Sequence, residues 1–199
     1  MNWKRIPIYL VAFTIIFSIY NYIQISQFYI NKLKLISNKL DRPLKITQIT
    51  DFHSNQTINL KKLFDEIRNY NPDITVITGD LIDTKTRDLS IAFKVLEESK
   101  RITDRVYFVS GNHETNHALS KEFKAGLDSL GVKILDNKNE TLNINGNNIN
   151  LSGASFYAEQ KEFEYIFKDV DSDTYNILLS HSPNRPIMYA DESTDLILS

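Results

Sequence analysis

Hydrophobic and polar positions divide the chain into an apolar N-terminal segment and a longer part in which short apolar runs alternate with amphipathic stretches. No charged residue occurs between Ile6 and Asn31, and residues 6–20 are nearly all apolar. A helix needs roughly 20 residues to cross the hydrocarbon layer of a bilayer. This segment is therefore predicted to be a membrane-spanning helix, with a buried or surface-lying helix as the alternative.

The boundaries of the parts follow from the same pattern. Residues 1–30 are assigned to an N-terminal membrane anchor, 31–43 to a polar linker and 44–199 to one α/β domain. No small-residue cleavage site follows the apolar run, so an uncleaved, single-pass anchor in the cell membrane is expected. Lys4 and Arg5 favour an extracytoplasmic domain, and the balance leans slightly that way although four basic residues follow the span (Lys32, Lys34, Lys39 and Arg42).

In residues 44–199, β-prone runs alternate with stretches of helical period. Strands are predicted at residues 44–50, 74–78 and 106–109, with helices at 59–70 and 89–99 between them. The polar residues that follow the strands recur at intervals of about thirty residues, which is the length of one βαβ unit. Parallel strands connected in this way have their carboxyl ends at one edge of the sheet, so these polar residues should meet in space.

Further elements are predicted downstream. The Asn-Gly pair at 145–146 is a strong signal for a tight turn, so residues 141–144 and 148–152 should form a hairpin. The Asn-rich segment 137–150 as a whole is interpreted as loops and turns rather than as a functional tract. The remaining predictions are helices at 118–130 and 159–168 and strands at 133–136, 175–180 and 195–199.

Composition excludes some classes of function. The net charge is −2 and there is no long basic run, so nucleic acid is not expected as a partner. The sequence contains no cysteine, which excludes disulfides and thiolate metal sites and is compatible with either redox compartment. With 42% hydrophobic and 24% charged residues, the chain is ordinary for a globular protein with one good core.

Carboxylates and imidazoles lie directly after four of the predicted strands. At the end of the third strand, Gly111 is expected to let the backbone turn so that Asn112 and His113 face a cleft. Such ligands suit Mn²⁺, Fe or Zn²⁺ better than Ca²⁺. Two ions that share a carboxylate can acidify water and clamp the attacking and leaving oxygens of a phosphoryl displacement. A single histidine is more often structural, so the prediction depends on the complete set of motifs.

The set consists of four motifs: Thr50-Asp51-Phe52-His53-Ser54, Gly79-Asp80-Leu81-Ile82-Asp83, Gly111-Asn112-His113-Glu114 and Leu179-Ser180-His181-Ser182-Pro183. Together they resemble the signature blocks of the calcineurin-like metallophosphoesterases, and most of all those of their bacterial branch with an N-terminal membrane segment. The resemblance covers residues 44–199 and implies an α/β fold in which two mixed sheets form a sandwich flanked by helices, with the site at the strand ends.

The resemblance also implies a set of ligands for two divalent metal ions. Asp51 and His53 would hold the first ion, and Asn112 and His181 would hold the second. Asp80 would bridge the pair. The identity of the ions is open among Mn, Fe and Zn. Nucleophilic hydroxide would come from water held between them, as in other two-metal hydrolases.

Two further residues are given catalytic roles by the resemblance. His113 would lie over the substrate phosphate and either protonate the leaving group or stabilise its charge. Asp83 would orient or polarise His113, with an ordinary loop carboxylate as the alternative. Glu114 and His117 receive no role.

The family pattern continues with a Gly-His-x-His block after a strand like residues 195–199, where this chain ends. We therefore expect the domain to be incomplete at its C-terminus, with one ligand missing from each ion and the activity impaired. The expected function is hydrolysis of a phosphomonoester or phosphodiester, and the anchor mildly favours a lipid-linked or envelope-derived substrate.

Two other functions suit parts of the same sequence. One is a non-catalytic, membrane-tethered remnant or binding module. The other is a doubly wound nucleotide-binding domain, but the sequence lacks a Gly-x-Gly-x-x-Gly motif after the first strand and a P-loop.

Overall fold

The computed structural model describes residues 5–199, so Lys4, one of the charges used to predict orientation, lies outside the described residues. The strands are β1 (Ile46–Ile49), β2 (Ile74–Thr78), β3 (Val106–Val109), β4 (Lys133–Ile134), β5 (Lys138–Ile144), β6 (Asn147–Ala154), β7 (Tyr175–Ser180) and β8 (Leu196–Leu198). The helices are α1 (Ile6–Ile25), α2 (Leu60–Tyr70), α3 (Ser90–Ile102), α4 (Asn112–Thr115), α5 (Ser120–Ser129), α6 (Gln160–Phe167) and α7 (Asn184–Tyr189).

The first sheet has the strand order β1-β2-β3-β4, and all its described pairs are parallel. The helical connections between successive strands impose this arrangement, because a parallel pair needs a crossover. Every residue of β2 and β3 is buried, since helices cover one face of the sheet and the second sheet covers the other. The carboxyl ends of β1, β2 and β3 therefore lie at one edge, as expected.

The second sheet has the order β5-β6-β7-β8 and is mixed. Strands β5 and β6 form an antiparallel hairpin, and β6-β7 and β7-β8 are parallel. Asn145 and Gly146 turn the hairpin with φ of 55° and 87°, the left-handed pair that a two-residue hairpin turn requires.

The interpretation of residues 137–150 as loops and turns is wrong, because most of this segment lies in β5 and β6. Exposed asparagines such as Asn143 alternate with Leu142 and Ile144, which contribute to the core between the sheets. Asn147 and Asn150, in contrast, are buried. The period of two, rather than the amount of asparagine, decided the local structure.

Three apolar clusters hold four layers together. Helices α2, α3 and α5 pack on the outer face of the first sheet, for example through Phe64, Leu96 and Phe123. The inner faces of the two sheets pack against each other, and α6 covers the outer face of the second sheet. The predicted fold, two sheets in a sandwich flanked by helices, is confirmed, although within the described residues only the second sheet is mixed.

Helix α1 differs from the other helices because its residues are exposed along almost its whole length. A window of 18 of its 20 residues has a mean hydropathy of 1.8, and at 1.5 Å per residue the helix is about 30 Å long. Among residues 5–199 it is the one helix long and apolar enough to cross a membrane. Its C-terminal end contacts the domain.

Candidate metal centre

The ends of β2, β3 and β7 approach each other so closely that glycine is required at their junction. Gly79 has φ of +83°, and a Cβ atom there would lie 2.7 Å from the backbone nitrogen of Gly111 and 2.9 Å from the Cβ atom of His181. No side chain fits in this space. The two sheets therefore meet at the edge where the predicted site residues follow their strands.

Gly111 is needed for a different reason from the expected one. Its φ of −85° is ordinary for any residue, so the turn itself does not require glycine. A Cβ atom on Gly111 would instead lie 2.1 Å from Oδ1 of Asp80. The absence of a side chain makes room for the Asp80 carboxylate. The residues that follow form the short helix α4 rather than an irregular loop, a turn too short to show a helical period in the sequence.

Several residues of the site have left-handed backbone conformations, which cost roughly 1–2 kcal/mol each for residues other than glycine. Hydrogen bonds between the segments after β1 and β2 hold this strain in place: the N–H of His53 donates to the carbonyl of Asp80 at 2.9 Å, and that of Ser54 to Leu81 at 2.9 Å. The strained residues are Asp51 (φ 54°), His53 (φ 52°), Ser54 (φ 50°) and Asp80 (φ 52°).

Asp80 lies at the centre of the site, with a side chain only 5% exposed. Its Oδ1 atom accepts a hydrogen bond from the N–H of His113 at 3.1 Å. Its Oδ2 atom faces the Nε2 atoms of three imidazoles, at 3.3 Å for His181, 3.6 Å for His113 and 3.8 Å for His53. Ligand atoms that share an ion at about 2.0–2.2 Å lie roughly 3–3.6 Å apart. The distances to His181 and His113 fall in this range, and the distance to His53 is slightly longer.

Two groups of side chains could each hold an ion, and Asp80 belongs to both. One group is His53, Asp80 and His113, and the other is Asp51, Asp80 and His181, with ligand atoms in each within 4.8 Å of one another. The structure thus brings together four of the five predicted ligands, together with His113. Asn112 begins α4 one residue before His113, and its role as a ligand stays a prediction.

The partition of ligands differs from the one that the resemblance implies. Asp51 and His53, expected on one ion, fall in different groups, although Oδ1 of Asp51 lies 3.6 Å from Nε2 of His53. His113, expected over the substrate, falls in a group by distance alone. A histidine in this cluster can act as a metal ligand or as a hydrogen-bond donor to the substrate. The hydrogen bond made by Nδ1 of the ring distinguishes these two roles better than the distance of Nε2 from Asp80 does.

His181 and His113 have opposite tautomers. Nδ1 of His181 lies 2.9 Å from the carbonyl oxygen of Thr78, which can only accept, so Nδ1 carries the proton and Nε2 has a free lone pair. Nδ1 of His113 instead accepts from the backbone N–H of Thr84 at 3.0 Å, so the proton is on Nε2. The first ring is arranged as a ligand and the second as a hydrogen-bond donor.

Asp83 makes no hydrogen bond to His113. Its carboxylate accepts from the N–H of Lys85 at 2.8 Å and from the hydroxyl of Thr84 at 2.9 Å. These two hydrogen bonds lower the pKa of Asp83. Asp83 thereby shapes the turn that presents the Thr84 N–H to His113, so any orienting effect on that ring passes through Thr84.

Sequence reasoning missed Glu114, which is completely buried beneath the site. Its Oε2 atom accepts from the N–H groups of Asp80 and Gly111, both at 2.9 Å, and its Oε1 atom accepts from that of Ile82 at 3.0 Å. Burial raises the pKa of Glu114, and the three N–H donors oppose that rise. A glutamate three residues after a helix N-cap was the available signal. Glu114 joins the ends of β2 and β3 and so holds Asp80 in place.

Comparison with known proteins agrees with this architecture. The calcineurin-like phosphoesterase family model matches residues 44–198. An uncharacterised metallophosphoesterase of Campylobacter jejuni is 30% identical over 169 residues, covering 80% of this chain and 44% of that protein. One from Helicobacter pylori strain J99 is 28% identical over 180 residues, covering 85% and 47%. A bovine (Bos taurus) transmembrane protein with a metallophosphoesterase domain is 30% identical over 175 residues, covering 78% and 39%.

Among solved structures, NAD nucleotidase of Haemophilus influenzae shares the fold with a TM-score of 0.53 and 18% identity, over 77% of this chain and 37% of that one. The chain spans less than half the length of each of these three relatives from Campylobacter jejuni, Helicobacter pylori and Bos taurus. The family match nevertheless covers more than three quarters of its 199 residues, including every strand of both sheets. The chain therefore belongs to the calcineurin-like phosphoesterases and is, by family, a metal-dependent hydrolase.

Proposed function

We propose that residues 44–199 hydrolyse a phosphomonoester or phosphodiester with the help of two divalent cations, Mn, Fe or Zn. The observation that carries this proposal is the shared carboxylate: Asp80 belongs to both groups of candidate ligands and faces three imidazoles. One carboxylate placed between two ligand groups is the arrangement that a bridged pair of ions needs.

The donor set fits such ions. It consists of carboxylate oxygens and imidazole nitrogens, with no thiolate in the chain to favour softer metals. His181 donates Nδ1–H to a backbone carbonyl, as metal-binding histidines usually do, and this leaves Nε2 free. We assign Asp51 and His53 to one ion, Asn112 and His181 to the other, and Asp80 to both.

When bound, two cations would supply water acidified towards neutral pH and would neutralise charge on the phosphate. His113 would contribute an Nε2–H group directed at the substrate. Because Nδ1 accepts the Thr84 N–H, the ring is neutral, and a neutral imidazole is a poor source of a proton. Of the two roles expected for His113, we therefore favour stabilisation of developing charge by a hydrogen bond.

A cleft beside the centre has room for a charged substrate. It has a volume of about 360 Å³, and its lining includes His53 together with two basic residues, Lys85 and Arg87, and two acidic residues, Asp83 and Asp88. The two basic side chains can pair with the negative charge of a phosphoester. We propose this cleft as the place where the substrate enters.

We also propose that residues 1–30 anchor the domain in the cell membrane as a single span, with the domain outside. The exposed apolar surface of α1 supports the anchor, because such a surface is costly in water. Sidedness rests on the charges that flank the span.

The test is an assay of the purified chain with Mn²⁺ on nitrophenyl phosphomonoester and diester substrates, beside a chain extended by a Gly-His-x-His segment. We expect metal-dependent turnover that Asp80→Asn lowers by about 10³-fold or more, roughly 4 kcal/mol of lost stabilisation. Asp128→Asn, on the exposed face of α5, is the matched control. If neither chain turns over substrate and Asp80→Asn leaves the metal content unchanged, the protein is a binding module instead.

A further inference from the structure

The C-terminal end of α1 is fixed to the loop that carries two of the predicted ligands. The carbonyl oxygen of Ile25, the last residue of the helix, accepts hydrogen bonds from Nδ2 of Asn55 at 2.8 Å and from the hydroxyl of Thr57 at 2.9 Å. A helix leaves its last carbonyls without partners, so these two side chains cap α1. The ammonium group of Lys62, in α2, lies 6.0 Å from the ring of Phe28 just beyond the helix.

This contact places the end of α1 beside the metal centre. Asn55 follows His53 by two residues, so their Cα atoms are at most about 7 Å apart. Hydrogen bonds order the backbone around Asn55: its N–H donates to the carbonyl of Phe52 at 3.0 Å, and its Oδ1 atom accepts from the N–H of Thr57 at 2.9 Å. The position of α1 and the position of His53 are therefore linked through a tight turn.

The length of the linker does not force this arrangement. The backbone N–H groups of Asp41 and Arg42 donate to Oδ1 of Asn147 at 2.9 and 3.1 Å. Asn147 begins β6, which is parallel to β7, so it lies at the edge of the sheet opposite His181. Twenty residues (26–45) can span about 70 Å when extended. A linker of this length could place α1 at either edge of the sheets. In the structure it runs along the domain, from Asn147 at one edge to the end of α1 at the edge that carries the site.

We propose that the metal centre acts on phosphoesters carried by lipids of the membrane that α1 spans. This inference rests on the function and the anchor proposed above. If α1 crosses the bilayer, Ile25 marks its surface, and the cleft next to His53 opens at the level of lipid headgroups. Exposed apolar side chains that follow the helix, Tyr29, Ile30 and Leu33, would be covered at the same surface. The cleft lining offers Lys85 and Arg87 to an anionic headgroup, beside the carboxylates of Asp83 and Asp88.

Placement at the membrane is tested without any assay of activity. The chain has no cysteine, so Gln56→Cys, beside the site, and Asn143→Cys, on the hairpin at the opposite edge, each give one position for a fluorescent label. The full chain is inserted in phosphatidylcholine vesicles that contain a headgroup-linked nitroxide quencher. We expect strong quenching of the label at position 56 and little at 143. Equal quenching at both positions, or none at 56, would overturn the inference.

The substrate class is tested by comparing two phosphomonoesters with Mn²⁺: phosphatidic acid in phosphatidylcholine vesicles and soluble glycerol phosphate. The double variant Asn55→Asp/Thr57→Val removes both donors to Ile25, and Asn143→Asp/Thr141→Val makes the same changes on the exposed hairpin. We expect the first variant alone to lower lipid hydrolysis by about tenfold, with turnover of glycerol phosphate within about twofold of the unmodified chain.

The outcomes separate this inference from the proposed function. Hydrolysis of glycerol phosphate without hydrolysis of phosphatidic acid overturns the lipid substrate and leaves the phosphoesterase function intact. Equal losses on both substrates in the Asn55/Thr57 variant also overturn it, because the contact would then serve only stability. No turnover of either compound, in a chain whose label at position 56 is quenched, overturns the phosphoesterase function and with it the substrate, but not the placement.

Discussion

The ends of β3 and β7 each place a histidine beside Asp80, and the two differ in what lies behind the ring. Behind His181 is the carbonyl of Thr78, which fixes the proton on Nδ1 and leaves Nε2 free to bind a metal ion. Behind His113 is the N–H of Thr84, which fixes the proton on Nε2. Their Nε2 atoms lie at nearly equal distances from the same carboxylate oxygen, 3.3 and 3.6 Å.

The difference shows that proximity alone does not assign a role to a histidine. By distance, His113 belongs to a group that could hold an ion as readily as His181 does. The backbone atom bonded to Nδ1 separates them, because a ring nitrogen that carries a proton cannot coordinate a cation. The comparison predicts that substitution of His181 lowers the metal content, whereas substitution of His113 lowers turnover without loss of metal.

The largest effect is expected for His181→Asn. Without its free Nε2 one ion should bind far more weakly, and turnover should fall by about 10³-fold, equivalent to roughly 4 kcal/mol. Metal content by mass spectrometry and turnover with Mn²⁺ measure the two effects. His117→Asn is the matched control, because His117 lies outside both ligand groups and its imidazole accepts a hydrogen bond from the N–H of Leu119 in the same loop. Full metal content in His181→Asn would show that it is not a ligand.

The second effect is expected for His113→Ala, which should lower turnover by about 10²–10³-fold, as the loss of one preorganised donor does elsewhere, while the metal content stays the same. His113→Gln keeps a neutral N–H donor and should recover part of the rate. Loss of metal from His113→Ala would make this ring a ligand and would remove the difference between the two histidines.

The leaving group distinguishes the two roles expected for His113. A nitrophenolate leaves without a proton, whereas an alkoxide needs one. If His113 stabilises charge on the phosphoryl group, His113→Ala should slow nitrophenyl and alkyl phosphates by similar factors. A much greater loss on alkyl phosphates, with no recovery in His113→Gln, would instead identify a proton donor.

A smaller effect is expected for Glu114→Gln, because Glu114 acts on the site only through Asp80. The amide keeps one acceptor oxygen but turns an NH₂ group towards N–H donors, and a buried group left without its partner costs about 1–3 kcal/mol. We expect a fall of that size in the free energy of unfolding and about a tenfold loss of turnover. Urea denaturation measures the free energy of unfolding, and steady-state kinetics measure turnover.

A control separates stability from positioning at Glu114. Glu122→Gln, on the exposed face of α5, makes the same chemical change without a buried partner and should alter neither quantity. If Glu114→Gln lowers stability but leaves turnover and metal affinity unchanged, Glu114 supports the fold and does not position Asp80.

Sequence alone predicted the parts of the fold whose pattern is strongest. The bounds of β2, β3 and β7 match the predicted strands, because each is an apolar run buried on both faces and closed by polar residues. The family motifs also led to the cluster around Asp80, since parallel strands bring their carboxyl ends together. Short elements such as α4 and α7 were missed because one turn of helix has no readable period.

What sequence could not predict depends on backbone atoms and distant contacts. The tautomer of His113 is set by the backbone N–H of Thr84, and the residue types in the sequence do not indicate where a backbone N–H will point. The role of Glu114 depends on three N–H groups from two strand ends. The contact between Ile25 and Asn55 joins residues thirty positions apart through a carbonyl oxygen.

The finest test of the comparison changes no residue. In a chain labelled with ¹⁵N-histidine and free of metal, NMR should show His181 protonated at Nδ1 and His113 protonated at Nε2, because each tautomer is fixed by its backbone partner. His117, whose Nδ1 accepts from Leu119, is an internal reference for the second pattern. Zn²⁺ should then shift the Nε2 signal of His181 much more than that of His113. A proton on Nδ1 of His113 would mean that the ring donates to a carboxylate such as Asp83 rather than accepting from Thr84. The two histidines would then have the same tautomer, and only their metal binding could distinguish them.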